Sequence, residues 1–298
     1  MRGQKLGAGL IAQSQSALPP FMLHQPTSLG VAVALARQHP EAVIAAGCSD
    51  LVAQFREGLE PEVLISVRRI KELRAISNNA GVLRIGSLVS HAEGSRSPEI
   101  LSAVPALAAA WGSIATVRIR YRGTLGGNLL SRRYRYEMPV ILAALGGQMQ
   151  FQGGDVEALP VSSLWDRDSL RDRNLGNAGI LTAVAVDTAS LLWFGYERSM
   201  RPVSTVSLAV RKDPVAGLTV SAVCGSEYRQ PFVLSHTAEA TDIAELDPVS
   251  VGGVLAAQLP DEAGDYAGSI DYRRHLVGVL CSRLLAQATG NKGKDSQP

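Results

Sequence analysis

Cysteine is scarce in this chain and never paired: Cys48, Cys224 and Cys281 stand far apart, with no C-x-x-C spacing. An iron-sulfur cluster or a tetrahedral zinc site draws on about four ligands, so these three cannot by themselves hold either. Isolated thiols of this kind suit a reducing cytosol, and a cytoplasmic location is expected. The histidines, His24, His39, His91, His236 and His275, are scattered as well, which fits surface or satisfied core positions better than ligands. No metal site is therefore expected on this chain. Long apolar runs are missing too, since none approaches the ~18 to 20 residues that span a bilayer. Charge of one sign is not in excess: 29 basic and 27 acidic residues leave a formal +2. No global field draws nucleic acid or an anionic membrane, and any basic site must be local.

What is present suits a globular protein. At 298 residues and 46% hydrophobic, the chain can bury a substantial core and is long enough for two domains. Residues 1–19 read as a disordered extension, because the apolar patch "LGAGLIA" is short for a signal peptide and no clean A-x-A site follows. "GAGLIA" is also a loose G-x-G-x-x-A match, but no strand precedes it. Structure begins near Phe21. "QPTSLGVAVALARQHP" predicts a helix capped by Thr27 or Ser28, and "AVIAAG" a short buried strand ending on Gly47. "EVLISV" and "VLRIGS" read as strands, and the alanine- and leucine-rich stretches around Ser97–Gly112 and Pro139–Gly146 as helices.

A change of texture across "FQGGDVEALPVSSLWDRDSLRDRNLGNAG" marks a domain junction, placed at residue 175. Beyond it "ILTAVAVD", "LLWFGYER", "TVSLAVRK" and "LTVSAVCG" are four successive β-like runs suited to an antiparallel meander. The last helix is expected after Ser269, with Leu276, Leu280 and Leu284 at helical spacing and Gly290 beyond its end. Residues 291–298 read as a flexible tail. The pattern as a whole is α+β.

Three stretches could carry chemistry. In "AAGCSDL" a strand runs into Gly47, where successive backbone N–H groups can form an anion-binding nest and Ser49 and Asp50 add polar groups; an ordinary strand-to-helix turn fits the same letters. In "GTLGGN" the pair Gly126–Gly127 frees two positions from side-chain sterics, and Thr124 and Asn128 supply a hydroxyl and an amide, as a loop against a diphosphate would need. It is neither a P-loop nor a Rossmann fingerprint. Around it lie Arg118, Arg120, Arg122, Arg132, Arg133 and Arg135, interleaved with Tyr121, Tyr134 and Tyr136. Such a mixture can bind single-stranded nucleic acid, but balanced overall charge favours a solvated or interface face, with Arg118, Arg120 and Arg122 alternating along an extended segment. The residues alone thus imply a two-domain protein that binds a phosphate-bearing cofactor.

The two turns, in this order, resemble those of the FAD-binding subunit of molybdenum hydroxylases, the xanthine dehydrogenase and carbon monoxide dehydrogenase medium-subunit family. The likeness extends through "FMLHQPTSLGVAVALARQHPEAVIAAGCSDL", "EPEVLISVRRIKELRAI", "LRIGSLVSHAE", "RGTLGGNL" and "DYRRHLVGVLCSRLLAQA", over roughly residues 20 to 290. It implies an FAD-binding domain over 20–175, with the two-subdomain fold of p-cresol methylhydroxylase and vanillyl-alcohol oxidase, and a C-terminal antiparallel sheet with helices over 176–290. The family's Ala-Gly-Gly-Thr-Asp-Leu turn maps onto Ala46, Gly47, Cys48, Ser49, Asp50 and Leu51, with Ile44 and Ala45 leading into it. The second turn maps onto Thr124, Gly126, Gly127 and Asn128, and Ile114, Ile180 and Leu181 fall at apolar flavin contacts. Cys48 stands where glycine is commonest. "LSRRYRYE" replaces the usual Ala-Asn-Ala-Ser-Pro-x-x-Asp, so Glu137 occupies the place of an FAD-contacting aspartate, with Arg133 or Arg135 expected to hold its carboxylate. The resemblance further implies non-covalent FAD on this chain, with a separate 2Fe-2S subunit delivering electrons from a large molybdopterin subunit, and no catalytic residue of its own acting on substrate. The competing class is a flavin-free assembly or binding module that keeps the fold.

Overall fold

The computed structural model describes residues 19–131, 135–165, 179–199, 204–225 and 230–290. The chain opens with a small parallel sheet. Strands β1 (Met22–His24), β2 (Val43–Ala45) and β3 (Val63–Ser66) pair in the order β1-β3-β2. Helix α1 (Leu29–Gln38) connects the first two and is capped by Ser28, whose hydroxyl accepts from the N–H of Val31, so the second of the two expected caps is the one used. Helix α2 (Leu51–Arg56) follows β2 directly.

A second, five-stranded sheet is made of β4 (Ile76–Asn79), β5 (Val82–Gly86), β6 (Gln148–Gly153), β7 (Ala158–Pro160) and β8 (Gly179–Asp187), in the order β4-β5-β8-β6-β7. Between β5 and β6 runs a chain of helices: α3 (His91–Gly94), α4 (Pro98–Ala103), α5 (Pro105–Ser113), α6 (Val117–Arg120), α7 (Leu125–Leu130) and α8 (Glu137–Ala144). Their inward faces form one core with the sheet, around the fully buried Trp111 and the run Met138, Val140, Ile141 and Leu142. Alanine at 108, 110 and 144 lets these helices pack closely.

The four-run meander is corrected by one strand. "ILTAVAVD" is β8, and it pairs with β5 and β6 inside the five-stranded sheet, not with its neighbour in sequence. Sheet membership therefore divides the chain between Asp187 and Leu191. The meander consists of β9 (Leu191–Arg198), β10 (Thr205–Asp213), β11 (Gly217–Gly225) and β12 (Phe232–Ala238), all antiparallel in sequential order, and β12 was not anticipated. Its two faces follow the strand period of two. Val206, Leu208 and Val210 of β10 face the C-terminal helices α9 (Pro248–Ala257) and α10 (Ile270–Ala288), whereas Ala209 faces the core of the five-stranded sheet with Phe194 and Val223. The sheet is thus sandwiched, and α8 packs against β10 and β11. Helix α10 is capped by Ser269, whose hydroxyl accepts from the Tyr272 N–H, and the chain leaves it through Gly290 at φ 71°. Among the described residues no helix is long and apolar enough to cross a membrane.

Candidate functional site

Two turns meet at the centre of the N-terminal half. The first leaves β2 through Ala46 and Gly47; the second precedes α7. A Cβ placed on Gly47 would lie 2.0 Å from the Arg122 carbonyl oxygen and 3.3 Å from the Gly123 Cα. Only glycine allows this approach, so Gly47 serves contact between the turns. The residue with the left-handed backbone is its neighbour: Cys48 has φ 62°. That conformation accounts for the fit of glycine at position 48, and cysteine holds it at a steric cost of about 1 kcal/mol. Among the described residues the N–H groups of Gly47, Cys48 and Ser49 meet no protein acceptor, which leaves three successive donors on this turn. Burial raises the Cys48 thiol above its ordinary range, opposed by the nearby charges of Arg68 and Arg122.

The second turn is built differently. The N–H of Leu125 donates to Val89 and that of Gly126 to Ser87, both at 2.8 Å, while the His91 N–H donates to the Gly123 carbonyl at 3.1 Å. Thr124 caps α7 by accepting from the Gly127 N–H at 3.2 Å. A Cβ at 126 would meet the Ser87 Cβ and carbonyl oxygen at 3.0 and 3.1 Å, and Leu181 beyond them, so Gly126 is a packing glycine. Gly127 is exposed, and a Cβ there would meet only the Thr124 hydroxyl, at 3.0 Å. The buried Oδ1 of Asn128 has no protein partner among the described residues. The donors of the second turn are largely spent on the fold, and its open features are Gly127 and Asn128.

Between and beside the turns lies a cleft of ≈ 370 Å³, bordered by Ala46, Gly47, Ser90 and Thr124 and by Arg68, Arg74, Arg96 and Arg122. Glu93 is the carboxylate on its rim; it pairs with Arg74 at 3.4 Å and completes a capping box with Ser90 at the head of α3. The balance is cationic, as a diphosphate requires. The guanidinium of Arg96 lies 5.8 Å from the Tyr121 ring centroid and donates to its hydroxyl at 3.2 Å. This pair walls the cleft from a second one of ≈ 440 Å³ along α4, α5 and α6.

The other anticipated residues divide. Ile44 is exposed at the edge of the small sheet, and Ala45 is buried. Leu51 starts α2. Ile114, Ile180 and Leu181 are buried in the core, with Ile114 followed by the left-handed Ala115 at φ 55°. Glu137 begins α8, and one of its carboxylate oxygens accepts a short hydrogen bond from the Tyr196 hydroxyl and faces Arg198 at 3.5 Å. Arg198, supplied by β9, faces this carboxylate; of the two arginines expected beside it, Arg133 lies outside the described residues. Burial, then the adjacent Glu137 charge, push the Tyr196 phenol well above its usual range, so it stays a donor. Arg118 and Arg120 lie on helix α6, not on an extended segment. The Tyr136 hydroxyl reaches the first turn and donates to Asp50 Oδ1 at 3.0 Å.

Sequence reasoning missed Arg68, Arg74 and Arg96, which come from three separate places in the chain, and the hydroxyl of Tyr136. His91 is one of the satisfied core histidines that the sequence suggested: its buried ring accepts from the Trp111 indole N–H at 2.7 Å through Nδ1.

Backbone donors without a protein acceptor among the described residues, a cationic cleft and a solvent-facing glycine are features that a phosphate-bearing ligand could use. Residues 19–186 match the family model of the FAD binding domain in molybdopterin dehydrogenase, and the chain belongs to that family. It is an oxidoreductase component, and its cofactor is FAD. It is 32% identical over 294 residues to the nicotine 6-hydroxylase medium subunit of Paenarthrobacter nicotinovorans, a match covering 91% of this chain and 98% of that one. It is 34% identical over 128 residues to caffeine dehydrogenase subunit beta of Pseudomonas sp. (strain CBB1), across 42% of this chain and 43% of that subunit. Quinoline 2-oxidoreductase of Pseudomonas putida 86 shares the fold at TM-score 0.75 and 21% identity, covering 93% of this chain and 100% of the other.

Proposed function

We propose that this chain is the electron-transfer subunit of a cytoplasmic molybdenum-containing hydroxylase, holding FAD in the cleft where the two turns meet. In this reading the N-terminal part is a two-subdomain flavin fold of the p-cresol methylhydroxylase and vanillyl-alcohol oxidase type. A separate 2Fe-2S subunit supplies electrons that originate at a large molybdopterin subunit. The observation that carries the reading is the set of N–H groups at Gly47, Cys48 and Ser49 that meet no protein acceptor among the described residues, on a turn whose Ala46 and Gly47 border a cleft with four arginines. Those donors and Arg68 and Arg122 would hold the diphosphate; Gly127 leaves room beside it, and Asn128 Oδ1 would accept from a cofactor hydroxyl or amine. FAD, when bound, supplies the exchange between one-electron input and two-electron output. The carboxylate of Glu137, fixed by Tyr196 and Arg198, holds the head of α8 beside the carbonyl of Ser113, which also faces Arg198.

The test is direct. The purified chain is expected to be yellow and to release all of its flavin, identified as FAD, into the supernatant on denaturation. Flavin that stays with the precipitated polypeptide would show a covalent link. A colourless chain whose fluorescence ignores added FAD would leave the flavin-free module as the correct class. Association is read by co-purification with a molybdopterin subunit and a 2Fe-2S subunit from its own cells, and reduction of the bound flavin by substrate in that complex tests the electron route.

A further inference from the structure

We infer that Tyr136 is a positioning residue that keeps the first turn in its anion-binding shape, and that it is needed because Cys48 holds a left-handed backbone conformation without the freedom of glycine. The inference rests on the reading of that turn as the diphosphate site.

From within, the turn is held by a backbone bond from the Val52 N–H to the Cys48 carbonyl, at 3.3 Å. The N–H groups of Gly47, Cys48 and Ser49 make no bond to the protein among the described residues, and the Cys48 thiol reaches only the Ala46 carbonyl, at 3.5 Å. Yet Cys48 stands at φ 62°. A strained backbone position of this sort persists only where its surroundings fix it from both sides. On one side, Gly47 is pressed against the Arg122 carbonyl. On the other, the Asp50 carboxylate is held at both oxygens, Oδ1 by the Tyr136 hydroxyl at 3.0 Å and Oδ2 by a short bond from the Gln54 amide. Gln54 lies on α2 itself and moves with the turn. Tyr136 does not: it precedes α8, whose residues Met138 to Leu142 are buried in the main core, and it is 86 residues from Asp50 in sequence. The tyrosine hydroxyl thus fastens the far end of the turn to a rigid body, and Cys48 is held in its left-handed state between the two anchors. Asp50, turned toward Tyr136 and Gln54, makes no side-chain cap on α2.

A double-substitution cycle on the full chain tests the coupling. Tyr136→Phe and Cys48→Gly are made singly and together, and each protein is read twice, by FAD titration of the apo-protein and by urea unfolding without flavin. Tyr136→Phe is expected to weaken FAD binding about tenfold, the scale of one hydrogen bond to a charged acceptor. In the Cys48→Gly background the same change is expected to cost less than about threefold, because glycine adopts φ > 0 unaided. The unfolding midpoints should show coupling of the same sign. Equal losses in both backgrounds, or no loss on Tyr136→Phe in a chain that binds FAD, would overturn the inference. Should the wild-type chain take up no FAD, the assignment of the site fails, and the unfolding cycle alone decides the tether: coupled midpoints uphold it and additive ones reject it.

Discussion

Gly47 and Arg122 touch through the backbone. The Cα of one lies so close to the carbonyl of the other that a single added carbon would come to 2.0 Å from the oxygen. The two turns are therefore parts of one structure, and the cleft is shaped by their contact. Gly47→Ala must push the turns apart, since a backbone carbonyl cannot rotate away as a side chain would. A loss of about 1–3 kcal/mol is expected, the cost of overpacking a tight contact. It should appear as a lower urea midpoint in the apo-protein, together with loss of FAD.

Gly127 offers the opposite case. It is exposed, its φ is not in the left-handed region, and a side chain there would meet only the Thr124 hydroxyl. Gly127→Val should leave the unfolding midpoint within roughly 0.5–1 kcal/mol of wild type, the ordinary effect of losing a helical glycine. If the diphosphate lies where proposed, flavin is nonetheless lost. A folded Gly127→Val protein with unchanged FAD content removes Gly127 from the site.

These two glycines show what a sequence carries and what it does not. Both turns are visible as local letters, because glycine beside small polar residues at the end of an apolar run favours a tight turn whatever packs around it. Which glycine is open to solvent and which faces the protein depends on Arg122 and Ser87, which approach only in three dimensions. The same limit accounts for the misplaced strand. "ILTAVAVD" and "LTVSAVCG" have alike apolar content, and alternation reports burial of a face without naming the neighbouring strand. Strand β12 went unread because Ser235 and Thr237 interrupt its apolar residues. On α6, "VRIRY" alternates as an extended segment would, yet one turn of helix forms after the left-handed Ala115. Arg68, Arg74 and Arg96 form no motif because the cleft collects them from separate segments.

Glu137 ties α8 to the C-terminal sheet through Tyr196 and Arg198. Its carboxylate is mostly buried, with 16% side-chain exposure, so removal leaves the phenol without its acceptor. Glu137→Ala is expected to destabilise the chain by roughly 1.5–3 kcal/mol, the range for a hydrogen bond to a charged group. Glu137→Gln keeps an oxygen for Tyr196 and should lose less. Tyr196→Phe in the Glu137→Ala background should add little, because the bond it would remove is already gone. Urea unfolding of wild type, Glu137→Ala, Tyr196→Phe and the double variant checks this, and additive losses would show that Glu137 and Tyr196 act separately. FAD titration of the same set tests whether Glu137 also serves the cofactor: equal affinities would confine it to the joint between α8 and the C-terminal sheet.

His91 gives the site a predicted acid limit. Its ring is buried, its Nδ1 accepts from Trp111, and its main chain carries the Gly123 carbonyl of the second turn. The indole N–H can only donate, so the imidazole is neutral with its proton on Nε2. Burial lowers its pKa from 6.5 to about 4. In the unfolded chain the histidine takes up a proton as pH falls through about 6.5, while the folded protein resists until about 4. Between these values the unfolded state binds more protons, so stability rises with pH across the window and declines as pH falls. Full expression of that shift would be worth about 3 kcal/mol. Protonation at Nδ1 also removes the acceptor for Trp111 and loosens the segment that holds Gly123. Urea midpoints measured between about pH 7.5 and about pH 4.5, which bracket most of the window, should fall steadily in the wild type. His91→Gln, which retains an acceptor without a titrating ring, should be less stable at neutral pH but flatter in its dependence. Parallel curves for the two proteins would place the acid sensitivity elsewhere in the chain.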